Sequence, residues 1–391
     1  MQISQSKSAP SGFFTGLWLS ALMCVALAGC ATRAPSTTPI PLDQAIATAT
    51  DTVMAPGLVD RFAKRSVVLD PTLDAATGQQ TLATQKLDAG IAARIASQFP
   101  QVELLPFQAA NLAKAQYLMT GTLARSGTAF EMNLSLVDIK TGTVSAQSSA
   151  MVRGDSVDMS PLAYYRDSPI LVKDKVIDGY VRTASTPAGQ RADAPYLERI
   201  ATATTINDAN LLYNSARYRE ALGQYRSALA SPSGDQIRVL TGIYLTTQKL
   251  GQTAEAEEAF GRLVAYGIAS KQLGMKFLFS PGTTDFWPDP KVSSAYTMWL
   301  RQIARQAASA KVCMDIVGHS SKTGTEDVND SLSLRRASTI RQRLIGDSSV
   351  LGSRTKPLGV GSRETIVGSG TDDVVDTLDR RVEFKIVDCT R

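Results

Sequence analysis

The stretch from Val312 to Leu344 decides how the C-terminal part of this chain folds, and it reads VCMDIVGHSSKTGTEDVNDSLSLRRASTIRQRL. Apolar residues alternate from Val312 to Val317, which predicts a short strand. A loop with a glycine at each end follows, from Gly318 to Gly324. A helix is then expected from about Thr325 to about Ile345.

This helix has one apolar face. At ~100° per residue, a set of apolar side chains shares a single arc that we expect to be buried: Val328, Leu332, Ala337, Ile340 and Leu344. Asn329 and Arg336 lie in the middle of that arc. A buried guanidinium is costly unless something pairs with it. Two explanations stay open: an internal ion pair, for example with Glu383 or Asp379, or a pocket that receives an anionic ligand.

The order of residues along the helix is similar to that of a known family. The pattern Asn329-x-x-Leu332-Ser333-x-x-Arg336-Ala337-x-x-Ile340-x-x-x-Leu344 resembles the core motif of the OmpA C-terminal-like domain. That domain occurs in outer-membrane and flagellar-stator proteins and binds peptidoglycan. Further segments match its Gly-His-Thr, its next glycine, its later turn and its last strand: Gly318-His319-Ser320, Gly324, Gly359-x-Gly361 and Asp379-Arg380-Arg381-Val382-Glu383-Phe384. The resemblance covers about Met275 to Arg391.

The resemblance implies a βαβαββ mixed sheet with a peptidoglycan site. In the family, an Asp immediately after Gly-His-Thr takes the ammonium group of diaminopimelate, and the helix Arg takes a carboxylate. Arg336 keeps the second role, but Ser321 stands where the family has Asp and cannot supply the charge. The expected binding residues are Arg336, Asn329, Ser321 and Ser320. The expected ligand is the diaminopimelate stem peptide of peptidoglycan.

The first 29 residues have the pattern of a lipoprotein signal peptide. Lys7 gives a weakly positive start, and Phe13 to Leu27 is an apolar run too short for a comfortable membrane span. Leu27-Ala28-Gly29-Cys30 resembles the lipobox of bacterial lipoproteins, which implies cleavage before Cys30, thioether lipidation and N-acylation. Three acyl chains give stable anchoring, and Ala31 in place of Asp favours the outer membrane. The alternative is an ordinary signal peptide with a chance cysteine.

Cysteine usage fits an oxidising compartment. Of the four cysteines, Cys24 leaves with the signal peptide and Cys30 takes lipid, so Cys313 and Cys389 remain as an even pair. Cys313 begins one predicted strand and Cys389 ends another. If these strands are antiparallel neighbours, as the family fold implies, the two residues lie side by side and a disulfide is geometrically reasonable.

Residues 42–182 have the pattern of an α/β domain that follows a Pro- and Thr-rich tether at 30–41. A strand at Ser66–Leu69 precedes an amphipathic helix marked by Leu87, Ile91, Ile95 and Phe99. Three later strands predict an antiparallel meander: Tyr117–Leu123, Phe130–Asp138 and Thr143–Met151. The Tyr117-Leu118-x-x-Gly121 and Leu136-Val137-Asp138-x-x-x-Gly142 patterns resemble periplasmic domains of curli-secretion, flagellar and synthase-activating lipoproteins.

A linker is predicted at 183–200, and residues 201–270 are helical with an internal repeat. Tyr218-Arg-Glu-Ala221-x-x-x-Tyr225-x-x-Ala228 recurs 35 residues later as Thr253-Ala-Glu-Ala256-x-x-x-Phe260-x-x-Leu263. This resembles tetratricopeptide repeats. Two units are fewer than the roughly three of an independent solenoid, so docking on a neighbouring domain is expected. A plain helical linker with chance similarity is the alternative.

Composition argues against several functions. The chain is 20% charged and 43% hydrophobic, which suits folded domains. Its net charge of +5 comes without a basic run interleaved with aromatics, so we expect no nucleic-acid partner. His319 is the one histidine, which makes a metal site or a His-assisted nucleophile unexpected. No phosphate loop or dinucleotide fingerprint is present, so we expect no enzyme activity and no cofactor.

Together these patterns predict an α+β multidomain protein. An N-terminal α/β domain with an antiparallel meander is followed by a short helical-repeat segment and, at 271–391, an OmpA-like βαβαββ mixed sheet. We interpret the chain as a non-catalytic outer-membrane lipoprotein, held in lipid through Cys30 at the periplasmic face and tethered to peptidoglycan. The alternative is a periplasmic scaffold or assembly-cofactor lipoprotein that recruits unidentified envelope proteins, with wall binding weakened or lost at Ser321.

Overall fold

The computed structural model describes residues 38–55, 64–171, 173–271, 273–368, 370 and 375–389, without the side chains of residues 375 and 377. All described residues belong to one compact unit, Pro35–Arg391. The predicted signal peptide and Cys30 lie outside the described residues. No helix in the described ranges has both the length and the apolar run needed to span a bilayer.

The first part of the chain builds a six-stranded sheet with helices on both faces. Its elements, in chain order, are α1 (Leu42–Met54), β1 (Arg65–Leu69), β2 (Leu73–Asp74), α2 (Leu82–Gln98), β3 (Val102–Leu105), α3 (Ala109–Leu112), β4 (Tyr117–Ser126), β5 (Ala129–Asp138), β6 (Thr143–Arg153), α4 (Ala163–Asp167), α5 (Lys175–Ser185) and α6 (Ala194–Leu197). The strand order is β3-β1-β4-β5-β6, with β2 beside β4. β1 is parallel to β3 and β4, and β4 to β6 form the predicted antiparallel meander.

Alternation along β5 places its apolar side chains in the core. Met132 and Leu134 are 0% exposed and Leu136 is 2% exposed, and all three pack with α1 and α2 on one face of the sheet. The opposite face packs against α5, where the Tyr180 hydroxyl accepts a hydrogen bond of 2.9 Å from the Gly121 N–H. Both faces of the sheet carry apolar side chains, so helices are needed on each side to bury them.

The two predicted connections, 30–41 and 183–200, are partly packed against this sheet. The Ile40 N–H donates to the Met151 carbonyl at 2.9 Å, so the end of the tether lies along β6. In the predicted linker 183–200, the Gln190 carbonyl accepts a hydrogen bond of 2.8 Å from the Val144 N–H, and Tyr196 is 1% exposed. Much of the predicted linker is therefore packed structure, because its backbone pairs with the start of β6. The division of the chain into domains stays a prediction.

Four helices follow: α7 (Ile200–Asn214), α8 (Tyr218–Leu229), α9 (Ile237–Lys249) and α10 (Thr253–Ala269). Ala216 and Gly251, which occupy equivalent places in the repeat, have φ angles of 59° and 73° in the turns after α7 and α9. The two helical hairpins thus share a turn geometry, and their tetratricopeptide character stays a prediction. These helices share one hydrophobic core with the last part of the chain, where the Trp299 indole N–H donates to the Tyr244 hydroxyl at 2.7 Å.

The last part of the chain is the predicted βαβαββ mixed sheet. Its elements are β7 (Leu273–Met275), α11 (Pro290–Ser293), α12 (Tyr296–Ser309), β8 (Cys313–Gly318), α13 (Glu326–Asp347), β9 (Thr355–Gly359) and β10 (Val382–Val387). The strand order is β7-β10-β8-β9, in which β10 is antiparallel to both neighbours and β8 is parallel to β9. The α+β fold class is confirmed.

The predicted buried arc of α13 is correct except at its first member. Leu332 is 7% exposed, and Ala337, Ile340 and Leu344 are each 0% exposed, but Val328 is 57% exposed. At ~100° per residue, Val328 lies about 40° beyond Leu332, on the side away from the centre of the arc. The prediction for Val328 is therefore wrong, because the buried face of the first turn is centred on Asn329 instead.

A disulfide joins Cys313 to Cys389, as predicted. The two Cα atoms are 5.2 Å apart, and the residues are separated by 76 positions in the sequence. Cys313 begins β8 and pairs with Val387 of β10, so Cys389 lies just beyond the end of the neighbouring antiparallel strand. The disulfide therefore links the chain just after β10 to the start of β8, an inner strand of the sheet.

Asp70 is a buried carboxylic acid at the end of β1. It is 7% exposed, and its Oδ2 accepts a hydrogen bond of 2.6 Å from the Tyr196 hydroxyl. Burial raises the pKa of Asp70 to about 7, against the opposing effects of the Tyr196 hydrogen bond and the Arg238 charge. The unfolded value is about 4, so the folded state binds an extra proton between about pH 4 and pH 7. The free energy of unfolding should therefore fall as the pH rises through this window.

Replacing Asp70 with Asn is expected to remove part of that pH dependence, because the amide keeps an acceptor for Tyr196 but does not titrate. Burial also raises the pKa of Asp88 to about 7. Asp88 therefore also makes the free energy of unfolding fall as the pH rises, and the Asp70→Asn variant retains that contribution. Denaturant unfolding at pH 5 and pH 7 measures the effect. Asp155→Asn, at a side chain 72% exposed, is the matched control. Equal pH slopes in the wild type and Asp70→Asn would contradict the prediction.

Candidate functional site

The helix α13 lies unusually close to the ends of β8 and β9, because glycines end both strands. A Cβ atom added at Gly318 would lie 2.0 Å from the Ser333 carbonyl oxygen. One added at Gly359 would lie 2.5 Å from the Leu334 nitrogen. Both distances are shorter than real contacts, so these positions require glycine. The close approach brings the loop after β8 against the middle of the helix.

Hydrogen bonds hold the loops together at this end of the sheet. The Ser333 hydroxyl accepts from the Gly361 N–H at 2.9 Å and donates to the Asp330 carbonyl at 2.9 Å. The Ser320 N–H in turn donates to the Gly361 carbonyl at 2.9 Å. The loops after β8 and β9 are therefore fixed to each other and to α13.

Arg336 is the central charged group of the site. Its side chain is 1% exposed, and its guanidinium carbon lies 5.0 Å from the centroid of the Phe279 ring. The Nε–H donates to the Thr283 carbonyl at 3.0 Å, and Nη2 donates to the Ser280 carbonyl at 3.1 Å. The stacking on Phe279 and these two hydrogen bonds help to fix the plane of the guanidinium.

The other predicted site residues lie on the same helix face or in the loop that packs on it. Asn329 is 3% exposed, and a Cβ atom added at Gly324 would lie 3.9 Å from its Oδ1. Ser320 is 2% exposed, and Ser321 is 6% exposed with its hydroxyl 2.9 Å from that of Thr323. All four residues are buried, Asn329 and Arg336 on α13 and Ser320 and Ser321 in the loop that follows β8. Their binding role stays a prediction.

The two carboxylates considered as ion-pair partners have strong partners of their own. Asp379 accepts hydrogen bonds of 2.6, 2.9 and 2.7 Å from the N–H groups of Ile366, Val367 and Gly368. Glu383 accepts from Arg381 Nε at 2.7 Å and lies 3.7 Å from Nε2 of His319. Burial alone would raise the pKa of Glu383, but interactions with His319 and Arg381 outweigh it and lower that pKa to about 2.

The cover over Arg336 was not predicted from the sequence. It comes from the loop between β7 and α11, which supplies the Ser280 and Thr283 carbonyls and the Phe279 ring. Phe286 closes the same loop through a bridge to Phe279. The only sequence signal was Asp285-Phe286, near the place where the family often has an apolar residue followed by Asp.

Comparison with known families identifies the C-terminal part of the chain. Residues 278–377 match the model of the OmpA family. The C-terminal part of the chain is therefore an OmpA-family domain, and the match spans the covering loop, β8, the whole of α13 and β9.

Solved structures give more distant similarities. The peptidoglycan-associated lipoprotein from Burkholderia pseudomallei is 21% identical, over 28% of this chain and 88% of that one, with a TM-score of 0.24. The periplasmic domain of Helicobacter pylori MotB is 16% identical, over 29% and 76%, with a TM-score of 0.24. The C-terminal domain of LpoB from Salmonella enterica is 15% identical, over 29% and 99%, with a TM-score of 0.24. No curated protein matches the chain.

Proposed function

We propose that this chain is a non-catalytic envelope lipoprotein that holds the outer membrane to peptidoglycan through its OmpA-family domain. The observation that carries the proposal is the position of Arg336. Arg336 is 1% exposed, matches the family's ligand-binding arginine in sequence, and lies on the helix that packs against the end of β8. The ligand would be the diaminopimelate residue of the stem peptide.

The chemistry of the guanidinium supports this role. Its contacts with the Ser280 and Thr283 carbonyls are hydrogen bonds to neutral acceptors. A carboxylate that displaced these carbonyls would bring an opposite charge to the guanidinium and could form two parallel hydrogen bonds with it. Binding therefore requires the loop at 280–283 to give way. Ser321 offers only a hydroxyl to the ligand's ammonium group, so the affinity should be modest.

Sedimentation with purified sacculi tests the proposal. The chain should pellet with sacculi whose stem peptides contain diaminopimelate, and much less with sacculi that carry lysine at that position. The lysine form is the matched ligand because it lacks only the carboxylate that Arg336 would bind. Absence of pelleting with both kinds, or equal pelleting, would count against the proposal.

The membrane anchor belongs to the same proposal and rests on Leu27-Ala28-Gly29-Cys30. We expect the mature protein from the bacterial membrane to begin at Cys30 and to carry a diacylglyceryl thioether and an N-acyl chain. Mass spectrometry of the N-terminal peptide measures this directly. Cys30→Ser should abolish the modification, whereas Cys24→Ser should leave it intact. An unmodified N-terminus, or cleavage at another position, would refute the anchor.

A second candidate function is favoured by the covered state of the site. Ser321 is neutral and 6% exposed, and carbonyl groups already occupy two donors of Arg336. In this alternative the OmpA-family domain is a structural module with weakened or lost wall binding. The first sheet and the helices α7 to α10 would then recruit envelope proteins. Cross-linking in cells would capture a protein partner, while sedimentation with sacculi would stay negative.

A further inference from the structure

A cavity of about 450 Å³ lies where the first sheet, the repeat helices and the OmpA-family domain meet. Its lining includes residues from all three parts, for example Phe130, Gln248 and Tyr296. The volume is within the range of small-molecule sites, about 300–1,000 Å³. None of the four predicted wall-binding residues lines it, so this cavity is separate from the site at Arg336.

Four aromatic residues of the lining, together called the aromatic wall, contribute apolar surface to the cavity. Phe130, Tyr165 and Tyr296 are each 2% exposed, and Trp299 is 7% exposed. The Tyr296 hydroxyl accepts a hydrogen bond of 3.0 Å from the Leu278 N–H, and Trp299 donates to Tyr244, so the polar atoms of both rings have partners. These rings therefore present carbon surface that would favour an apolar ligand.

Lys276 is a cationic residue of the lining that contacts one member of the aromatic wall. Its ammonium group donates to the Tyr165 carbonyl at 2.9 Å. Within the described residues no carboxylate lies within 4.0 Å of its Nζ. Burial lowers the pKa of Lys276 to about 8, against the weaker opposing effect of Asp167. An ammonium has three N–H donors, so this group has bonding capacity for an anion that enters the cavity.

The charges around the cavity are mostly positive. Among the described residues, five cationic side chains and two carboxylates line it: Arg125, Arg166, Lys249, Lys276 and Lys291, against Asp74 and Asp167. Both carboxylates are engaged. Asp74 accepts from the Thr77 hydroxyl at 2.5 Å, and Asp167 pairs with Lys249 at 2.9 Å. Arg125, Arg166 and Lys291 are exposed, so their charges lie towards the solvent side of the cavity.

We propose that this cavity binds a small anionic amphiphile, whose acidic head group pairs with Lys276 and whose hydrocarbon body packs on the aromatic wall. Charge complementarity favours an anionic ligand, because cationic groups outnumber carboxylates among the described lining residues and both of these carboxylates have partners. The aromatic wall favours a hydrocarbon body for the rest of the ligand. A fatty acid and a single-chain lipid phosphate share this chemistry.

Calorimetric titration of the chain beginning at Pro35 tests the proposal, because this chain contains the whole compact unit without the lipid anchor. The probes are dodecanoate, dodecyl phosphate, dodecanol and dodecyltrimethylammonium, each kept below micelle formation. At least one anion should bind saturably at one site per chain, at least tenfold more tightly than the alcohol or the cation. The preferred anion identifies the head group. Equal binding of all four probes, or saturable binding of none, would overturn the proposal.

Lys276→Met should weaken binding of the preferred anion roughly ten- to a hundredfold, since a charged hydrogen-bond partner is lost. Binding of dodecanol should not change. The substitution replaces a partly buried lysine with an apolar side chain of similar length, so the variant should fold, and a cooperative melting transition checks this. Lys356→Met, at an exposed lysine on β9 outside the cavity, is the matched control. Unchanged affinity for the anion in Lys276→Met would overturn the role of Lys276.

Discussion

Arg336→Ala is expected to abolish sedimentation of the chain with diaminopimelate-containing sacculi. The guanidinium is the charged group that the proposed site offers to the ligand's carboxylate, and methyl replacement leaves no donor there. Losing a charged hydrogen-bond partner costs about 1.5–3 kcal/mol for each bond, which is roughly ten- to a hundredfold in affinity per bond. A two-point contact would therefore fall below detection in a sedimentation assay.

The neighbouring residue provides a matched control. Arg335 is exposed, and its guanidinium donates to the Ser331 hydroxyl at 2.6 Å on the outer face of α13. Arg335→Ala changes the net charge equally and should bind sacculi like the wild type. Because Arg336 is also bonded to the Ser280 and Thr283 carbonyls, each variant is first checked for a cooperative unfolding transition. If folded Arg336→Ala pellets like the wild type, Arg336 is a structural residue and the pocket hypothesis fails.

The same assay tests the role of Ser321, the neutral residue at the position where the family has Asp. Ser321→Asp restores the family's carboxylate beside the ligand's ammonium group and should tighten binding by roughly ten- to a hundredfold. Ser331→Asp, on the exposed face of α13, adds the same charge away from the site and should have no effect. Equal affinities in Ser321→Asp and the wild type would show that the ammonium group is not held at this position.

Removing the Cys313–Cys389 disulfide is the second change with a large expected effect. In the chain-entropy model, a loop closed across a separation of 76 residues corresponds to a stabilisation of about 4.5 kcal/mol. Measured values are typically about 2–4 kcal/mol, and we expect a loss in that range. The physical reason is that the bridge restricts the unfolded chain while holding the end of β10 beside β8.

Denaturant unfolding of the chain beginning at Pro35 measures this loss in the Cys313→Ser, Cys389→Ser double variant. The chain then contains no other cysteine, so thiol counting on unreduced, denatured wild type should find none. Adding a reductant should lower the stability of the wild type to that of the double variant and leave the variant unchanged. Two free thiols, or equal stabilities with and without the bridge, would contradict the prediction.

Local patterns in the sequence were sufficient to predict much of the fold. The alternation in β5 and the four-residue spacing in α2 predicted the meander and its covering helix, because each pattern depends only on which side of an element faces the core. The stretch from Val312 to Leu344 predicted the strand, the glycine loop and the helix of the C-terminal domain. The pairing of Cys313 with Cys389 followed from the strand neighbours that the family resemblance implied.

The surroundings of these elements were decided by tertiary structure alone. The carbonyls that cover Arg336 come from residues 53 and 56 positions away, and no periodicity reports such contacts. Val328 has the right residue type for a core position but lies outside the packed arc. The cavity around Lys276 exists only where three parts of the chain meet. Sequence periodicity describes one face of one element, whereas burial, covering and cavities depend on how separate elements pack together.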